Sequence, residues 1–166
     1  MQPYTMPHHY VIIDDNPASA KETLTLAGQF PQLHFAGSAN NYDEALDLIL
    51  ERQPALVFLE IDPEDPQSRL SLALVSELYR YLTVMPEIIV TTHGKVLTYD
   101  ALRVEVLDYI LKPLQLRDLR RSIMRFDKKM ALLGAASPAV PAAVLETPVI
   151  MEPVVAPTQD KVEIAA

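Results

Sequence analysis

An α/β fold, a doubly wound parallel sheet of five strands with five helices, is predicted by three observations. Short apolar or β-branched runs alternate with longer segments of helical spacing over residues 8–133. Three of those runs are nearly continuous in apolar character, which suits strands covered on both faces. Helix start and stop residues stand between the runs. Right-handed crossovers between parallel strands then impose a doubly wound sheet, with functional groups at the carboxyl ends of the strands.

Taken in order, strand one is Tyr10-Val-Ile-Ile13, followed by Asn16 as an N-cap and Pro17 as a first-turn proline. Gly28 stops that helix after Leu24 and Leu26. Strand two is Leu33-His-Phe-Ala36. Asn41 with Glu44 three residues on resembles a capping box, Ala45, Leu48 and Ile49 share one apolar face, and Pro54 ends the segment. Strand three is Ala55-Leu-Val-Phe-Leu59. Leu70, Leu74, Val75 and Leu78 form the stripe of the third helix before Pro86. Strand four is Glu87-Ile-Ile-Val90, a fourth helix is expected around Val96–Val104, and strand five is Leu107-Asp-Tyr-Ile-Leu111. Leu116, Leu119, Ile123, Phe126 and Met130 line the last helix.

Composition bounds what such a domain does. Of 166 residues, 49% are hydrophobic and 22% charged, a globular balance. The formal charge of −8 gives the whole chain no electrostatic reason to seek nucleic acid. With no cysteine there are no disulfides, thiolate nucleophiles or common structural zinc sites. Apolar runs fall well short of a membrane span, and the start Met1-Gln2-Pro3-Tyr4 does not read as a secretory signal, so a cytoplasmic location is expected. Residues 134–166 carry repeated prolines without helical or alternating period and read as a semi-stiff linker or tail. The alternative there is a terminal strand docked through Val149-Ile150-Met151. A linker also suggests that the chain is the front half of a longer protein.

The strand ends are the informative part. Strand one ends in Asp14-Asp15, strand three in Glu60, strand four in Thr91-Thr92 and strand five in Lys112-Pro113. In a doubly wound sheet these ends share one rim, so carboxylates, a hydroxyl and an ammonium converge. Clustered carboxylates repel unless a cation joins them, and oxygen-only ligands favour a hard divalent ion such as Mg²⁺.

Val-Ile-Ile-Asp14-Asp15, Pro54-Ala-Leu-Val-Phe-Leu-Glu60-Ile, Val90-Thr91-Thr92 and Leu107-Asp108-Tyr109-Ile-Leu-Lys112-Pro113 resemble the receiver domains of two-component response regulators, the CheY-like superfamily. The segment Ala-Leu-Arg-Val-Glu-Val-Leu-Asp-Tyr-Ile-Leu-Lys-Pro-Leu looks most like receivers of the LytR/AlgR kind, which precede a LytTR-type DNA-binding domain. The resemblance covers Tyr10 to Lys129 and implies a flavodoxin-like sheet in the order 2-1-3-4-5. It further implies that Asp14 and Asp15 bind Mg²⁺ and that the backbone carbonyl of Asp62 completes the metal shell. Thr92 and Tyr109 match the switch residues, and Lys112 matches the lysine that pairs with the phosphoryl group.

The phosphoacceptor position holds Glu60 where the family has aspartate. One added methylene moves the attacking oxygen by roughly 1.5 Å, and a misplacement of about 1 Å already costs ~10²-fold in rate. The longer carboxylate reaches into the space of a phosphoryl group, where Thr92 and Lys112 would donate to it. It carries one negative charge against about −1.5 to −2 for a phosphate. Mg²⁺ would then be held weakly or not at all, with Glu60 among its candidate ligands. His93 after the switch threonine is expected to narrow the entrance, and the acidic loop Asp62-Pro-Glu-Asp-Pro-Gln-Ser repels an anionic phosphodonor. These departures point to a pseudo-receiver. The alternatives are a conventional receiver phosphorylated at Asp62 or Asp15 and, more distantly, a Mg²⁺-dependent phosphohydrolase.

The last helix carries Arg117, Arg120, Arg121, Arg125, Lys128 and Lys129. They read either as a solvated face or as a homodimer surface meeting Asp100, Glu105 and Asp108 of a second copy. The resemblance implies the latter, through the face of helix four, strand five and helix five. It also implies a histidine kinase partner, and a DNA-binding module further along the chain in place of direct nucleic-acid binding here. The adjacent His8-His9 point to opposite sides of a strand and make a poor chelate, and His34 reads as a packing residue.

Overall fold

The computed structural model describes residues 6–94 and 103–136. The elements run β1 (His8–Ile13), α1 (Pro17–Ala27), β2 (Leu33–Ala39), α2 (Tyr42–Arg52), β3 (Leu56–Leu59), a 3₁₀ turn (Pro66–Ser68), α3 (Ala73–Leu78), β4 (Glu87–Thr92), β5 (Asp108–Leu111) and α4 (Leu116–Ala136). All strands pair parallel in one sheet of order β2-β1-β3-β4-β5. The whole sheet lies within the unit Met1–Lys129. The helix expected around Val96–Val104 lies outside the described residues except for its last two positions, so four α-helices are described where five were expected.

The caps explain why the helices start where they do. Asn16 accepts from the backbone N–H groups of Ala18 and Ser19, and Pro17 occupies the first turn. Asn41 accepts from Glu44 N, half of the expected capping box. The third helix is shorter than its stripe suggests: Leu70 precedes it, yet is buried with Leu74, Val75 and Leu78. The last helix runs through Gly134 to Ala136, past the expected change at residue 134.

Strand alternation divides the core. Val11, Ile13, Val57, Leu59, Ile88 and Val90 pack with Ala45 and Ile49 of α2 and with Leu74, Val75 and Leu78 of α3. Tyr10, Ile12, Phe58 and Ile89 face the other way, where Phe126 of α4 meets His8 edge-on at 5.1 Å between ring centroids. Each fully buried aliphatic or aromatic side chain contributes about 1.5–3 kcal/mol. Where the β1–β2 register shifts between Tyr10 and Val11, Gly37 adopts a φ of 148° that side-chain-bearing residues avoid. A Cβ there would also lie 3.0 Å from Leu48 Cδ1.

Register positions the rim. Ile13 aligns with Leu59, Leu59 with Val90, and Thr92 with Leu111. Asp14 and Glu60 therefore emerge level with Thr91 and Ile110, Lys112 follows two residues beyond Ile110, and the pairing continues briefly: Glu60 N donates to Ile13 O and Lys112 N to Thr92 O, both at 2.9 Å. Asp14, Glu60 and Lys112 are neighbours because the hydrophobic strands align.

Candidate functional site at the carboxyl rim

Asp14 is held by its own turn. Its Oδ1 accepts from Asn16 N at 2.9 Å and its Oδ2 from Ser19 Oγ at 2.7 Å. The Asn16-Pro17 start that caps α1 thus also orients the first carboxylate. Neither Asn16 nor Ser19 was singled out from the sequence for this role, although the capping signal placed both within reach.

Glu60 is 2% exposed and turned inward. Its Oε1 accepts from Asp62 N at 2.7 Å, and its Oε2 is paired with Lys112 Nζ. The same ammonium donates to Asp14 Oδ2 at 2.8 Å. Burial alone would lower the Lys112 pKa, but the hydrogen bonds and charges of Asp14 and Glu60 outweigh it and hold the pKa above its ordinary value. The result is a buried ammonium between two buried carboxylates. Thr92 does not join it: among the described hydrogen bonds, its hydroxyl accepts from Gly94 N at 3.2 Å and none links it to Glu60. Of the two donors expected for Glu60, Lys112 is present, and a backbone N–H stands in place of the threonine. A flexible hydroxyl finds a partner in its own turn more readily than across the rim.

The loop after β3 closes over the acidic pair. Asp65 N donates to Asp15 Oδ2 at 2.7 Å, and Asn16 Nδ2 donates to Glu64 Oε1 at 2.8 Å. Asp15 Oδ1 is left buried with no hydrogen-bond partner. That orphan oxygen is what a cation would seek, but the remaining donors do not fit Mg²⁺ as they stand. Mg²⁺ requires about six oxygens in near-octahedral array. Here Asp14 Oδ2 and Glu60 Oε2 point at an ammonium, and among the described residues no group of three or more acidic or histidine side chains is arranged to hold a metal.

Beside the carboxylates opens a cavity of about 660 Å³, lined by Ile61, Asp62, Leu72, Thr92, Gly94 and Val104 among others. Glu60 and Lys112 are absent from its lining, and so is His93, which is exposed. The close approach of Gly94 to Asp62, where a Cβ would come within 3.1 Å of Oδ2, brings the end of β4 onto the β3 loop. Tyr109 is half-buried and packs at the edge of the core, which raises its hydroxyl pKa through loss of solvation.

On the other predicted surface, Asp108 is occupied within the chain. It accepts from Ser122 Oγ at 2.7 Å and pairs with Arg125 at 3.3 Å. Glu105 stands 3.9 Å from Lys129, which also pairs with Glu87 at 2.9 Å. Asp100 lies outside the described residues. Arg121 pairs loosely with Asp118 at 3.9 Å, while Arg117 and Arg120 are exposed. His34, expected to be a packing residue, is exposed instead and is the register partner of His9, with ring centroids 6.2 Å apart.

A parallel sheet of this order, with acids and a lysine at its carboxyl rim, has counterparts among known proteins. The chain is 30% identical over 122 residues to the sensory transduction protein LytT of Enterococcus faecalis, an alignment covering 74% of this chain and 49% of that protein. It is 28% identical over 113 residues to the sensory transduction protein LytR of Staphylococcus haemolyticus, covering 68% and 43% respectively. The aligned part of this chain thus spans about half the length of these curated relatives. The receiver domain of the response regulator AraT from Geobacillus stearothermophilus superposes with a TM-score of 0.65 at 21% identity, covering 78% of this chain and 99% of that one. No protein-family model matches. The fold is that of the receiver domains of response regulators. The sequence likeness is to regulators of the LytT/LytR type.

Proposed function

We propose that this receiver is a pseudo-receiver: it controls an output module or partner by conformation or dimerisation, without phosphorylation by the usual aspartyl chemistry. The observation that carries the reading is Glu60, which is buried and has both carboxylate oxygens engaged, by Lys112 and by Asp62 N. In-line attack on phosphorus needs a nucleophilic oxygen aimed at incoming phosphate. Here the oxygens are turned into the site, where they meet the lysine that a phosphoryl group would otherwise engage. Incubation with Mg²⁺ and acetyl phosphate, followed by intact-protein mass measurement, should give no adduct; stoichiometric modification at Glu60 would end the proposal. Glu60→Asp, which withdraws the carboxylate by one methylene, should restore slow modification.

A second reading has one observation in its favour. Asp15 Oδ1 is the one side-chain oxygen among the described residues that is buried without a partner. A conventional receiver phosphorylated at Asp15 or Asp62 would use such an oxygen, and peptide mapping of a treated sample separates the two readings.

The rest of the assignment supports signalling over catalysis. Residues 8–133 act as the receiver and 134–166 as its linker to an output module, by analogy with relatives in which the aligned part is about half of the length. Arg117, Arg120 and Arg121 offer a face for homodimerisation together with β5, whose Leu111 is exposed at the sheet edge. A histidine kinase, a cytoplasmic setting and the absence of enzymatic turnover complete the reading. Among the described residues no helix is long and apolar enough to cross a membrane. His93 remains the candidate for hindering entry of a phosphodonor past Thr92.

A further inference from the structure

We infer that the ammonium of Lys112 is the resident cation of this rim, so that the site is closed against Mg²⁺ and the domain holds its conformation without metal. The inference rests on the pseudo-receiver reading and concerns how its site is neutralised. Lys112 Nζ donates to Asp14 Oδ2 at 2.8 Å and is also paired with Glu60 Oε2. The side chains of Lys112, Asp14 and Glu60 are 4%, 2% and 2% exposed, so these charges have almost no water to share them.

A divalent ion drawing on Asp14 and Glu60 would have to take oxygens from the ammonium and then lie close to it. Two cations at contact distance repel more strongly in a dry site than in water. A phosphoryl group would supply the negative charge that lets both stay; Glu60 brings only one charge and gives it to Lys112. Asp14 has little capacity left, since Asn16 N and Ser19 Oγ take two further positions. The length of Glu60 is what makes the bridge: anchored at Asp62 N through Oε1, its other oxygen reaches the lysine across the rim.

Thermal unfolding in a Mg²⁺ titration against KCl of matched ionic strength tests this with no phosphodonor present. Wild-type protein should show no saturable Mg²⁺ shift. Lys112→Met should gain one, amounting to several degrees at about ten times Kd, and Asp15→Asn in that background should abolish it. Any saturable wild-type shift would overturn the inference. If Lys112→Met does not fold, Glu60→Asp replaces it, because its shortened carboxylate withdraws from the lysine and should likewise make the protein Mg²⁺-sensitive. The wild-type titration is decisive in either case. The two proposals fail separately: Mg²⁺ binding without an acetyl phosphate adduct sinks only this inference, and an adduct without wild-type Mg²⁺ binding sinks only the pseudo-receiver reading.

Discussion

Around Lys112, an ammonium with 4% of its side chain exposed is held by two carboxylates, each 2% exposed; along α4, Arg125 and Lys129 reach Asp108 and Glu87 from side chains 61% and 39% exposed. Both regions are built from basic residues facing acids, and their energetics differ because of water. At the rim no solvent replaces a lost partner, so each charge depends on the others. On α4 every cation has water as an alternative, and the pairs set orientation more than stability. The same residue types thus make a structural element in one place and an adjustable surface in the other.

The largest expected effect is Lys112→Met, which leaves Asp14 and Glu60 buried side by side without a cation. Removing one partner of a buried ion pair costs roughly 3–5 kcal/mol, read as a lowered urea midpoint with an unchanged slope. A loss under about 1 kcal/mol would put the rim in the same category as the surface.

The alkaline limb sharpens the contrast. Because the folded-state pKa of Lys112 is raised above 10.5, its contribution is fully present below that pH and is lost as pH rises through the folded value. The stability gap between wild type and Lys112→Met should stay constant from pH 7 to 10 and narrow above it; a gap that widens there would have the wrong sign. Next in size is Ser122→Ala, which removes the hydroxyl that a fully buried serine gives to Asp108. Asp108 keeps Tyr109 N and Arg125, so about 1 kcal/mol is expected by denaturant titration. Smallest are Arg125→Ala and Lys129→Ala, at ~0–1 kcal/mol each and shrinking further at high salt. If either exceeded Ser122→Ala, the surface pairs would be more than orientational.

Most of the frame was legible in the chain. Asn16-Pro17 and Asn41 marked helix starts because a cap is a local hydrogen bond, and the strands showed as runs from Tyr10, Leu33, Ala55, Glu87 and Leu107, within two residues of their observed starts. The rim residues followed from strand ends. Less legible were the limits of α3, where Leu70 is buried from outside the helix: an apolar spacing records burial, not the backbone that achieves it. Asp108 was read as a surface acid because its partners Ser122 and Arg125 lie on α4 and are neighbours only once that helix packs against the sheet.

Residue order alone settled that Asp14, Glu60, Thr92 and Lys112 would share an edge, since alternation and crossover handedness act through local pattern and chain connectivity. Which oxygen meets which donor was settled only on folding. Glu60 had two donors in prospect; the packed rim joined it to Lys112 and Asp62 N and left Thr92 to Gly94. Hydrogen bonds have a range of about 3 Å, and positions of that accuracy arise from the packed strands beneath them, not from spacing along the chain.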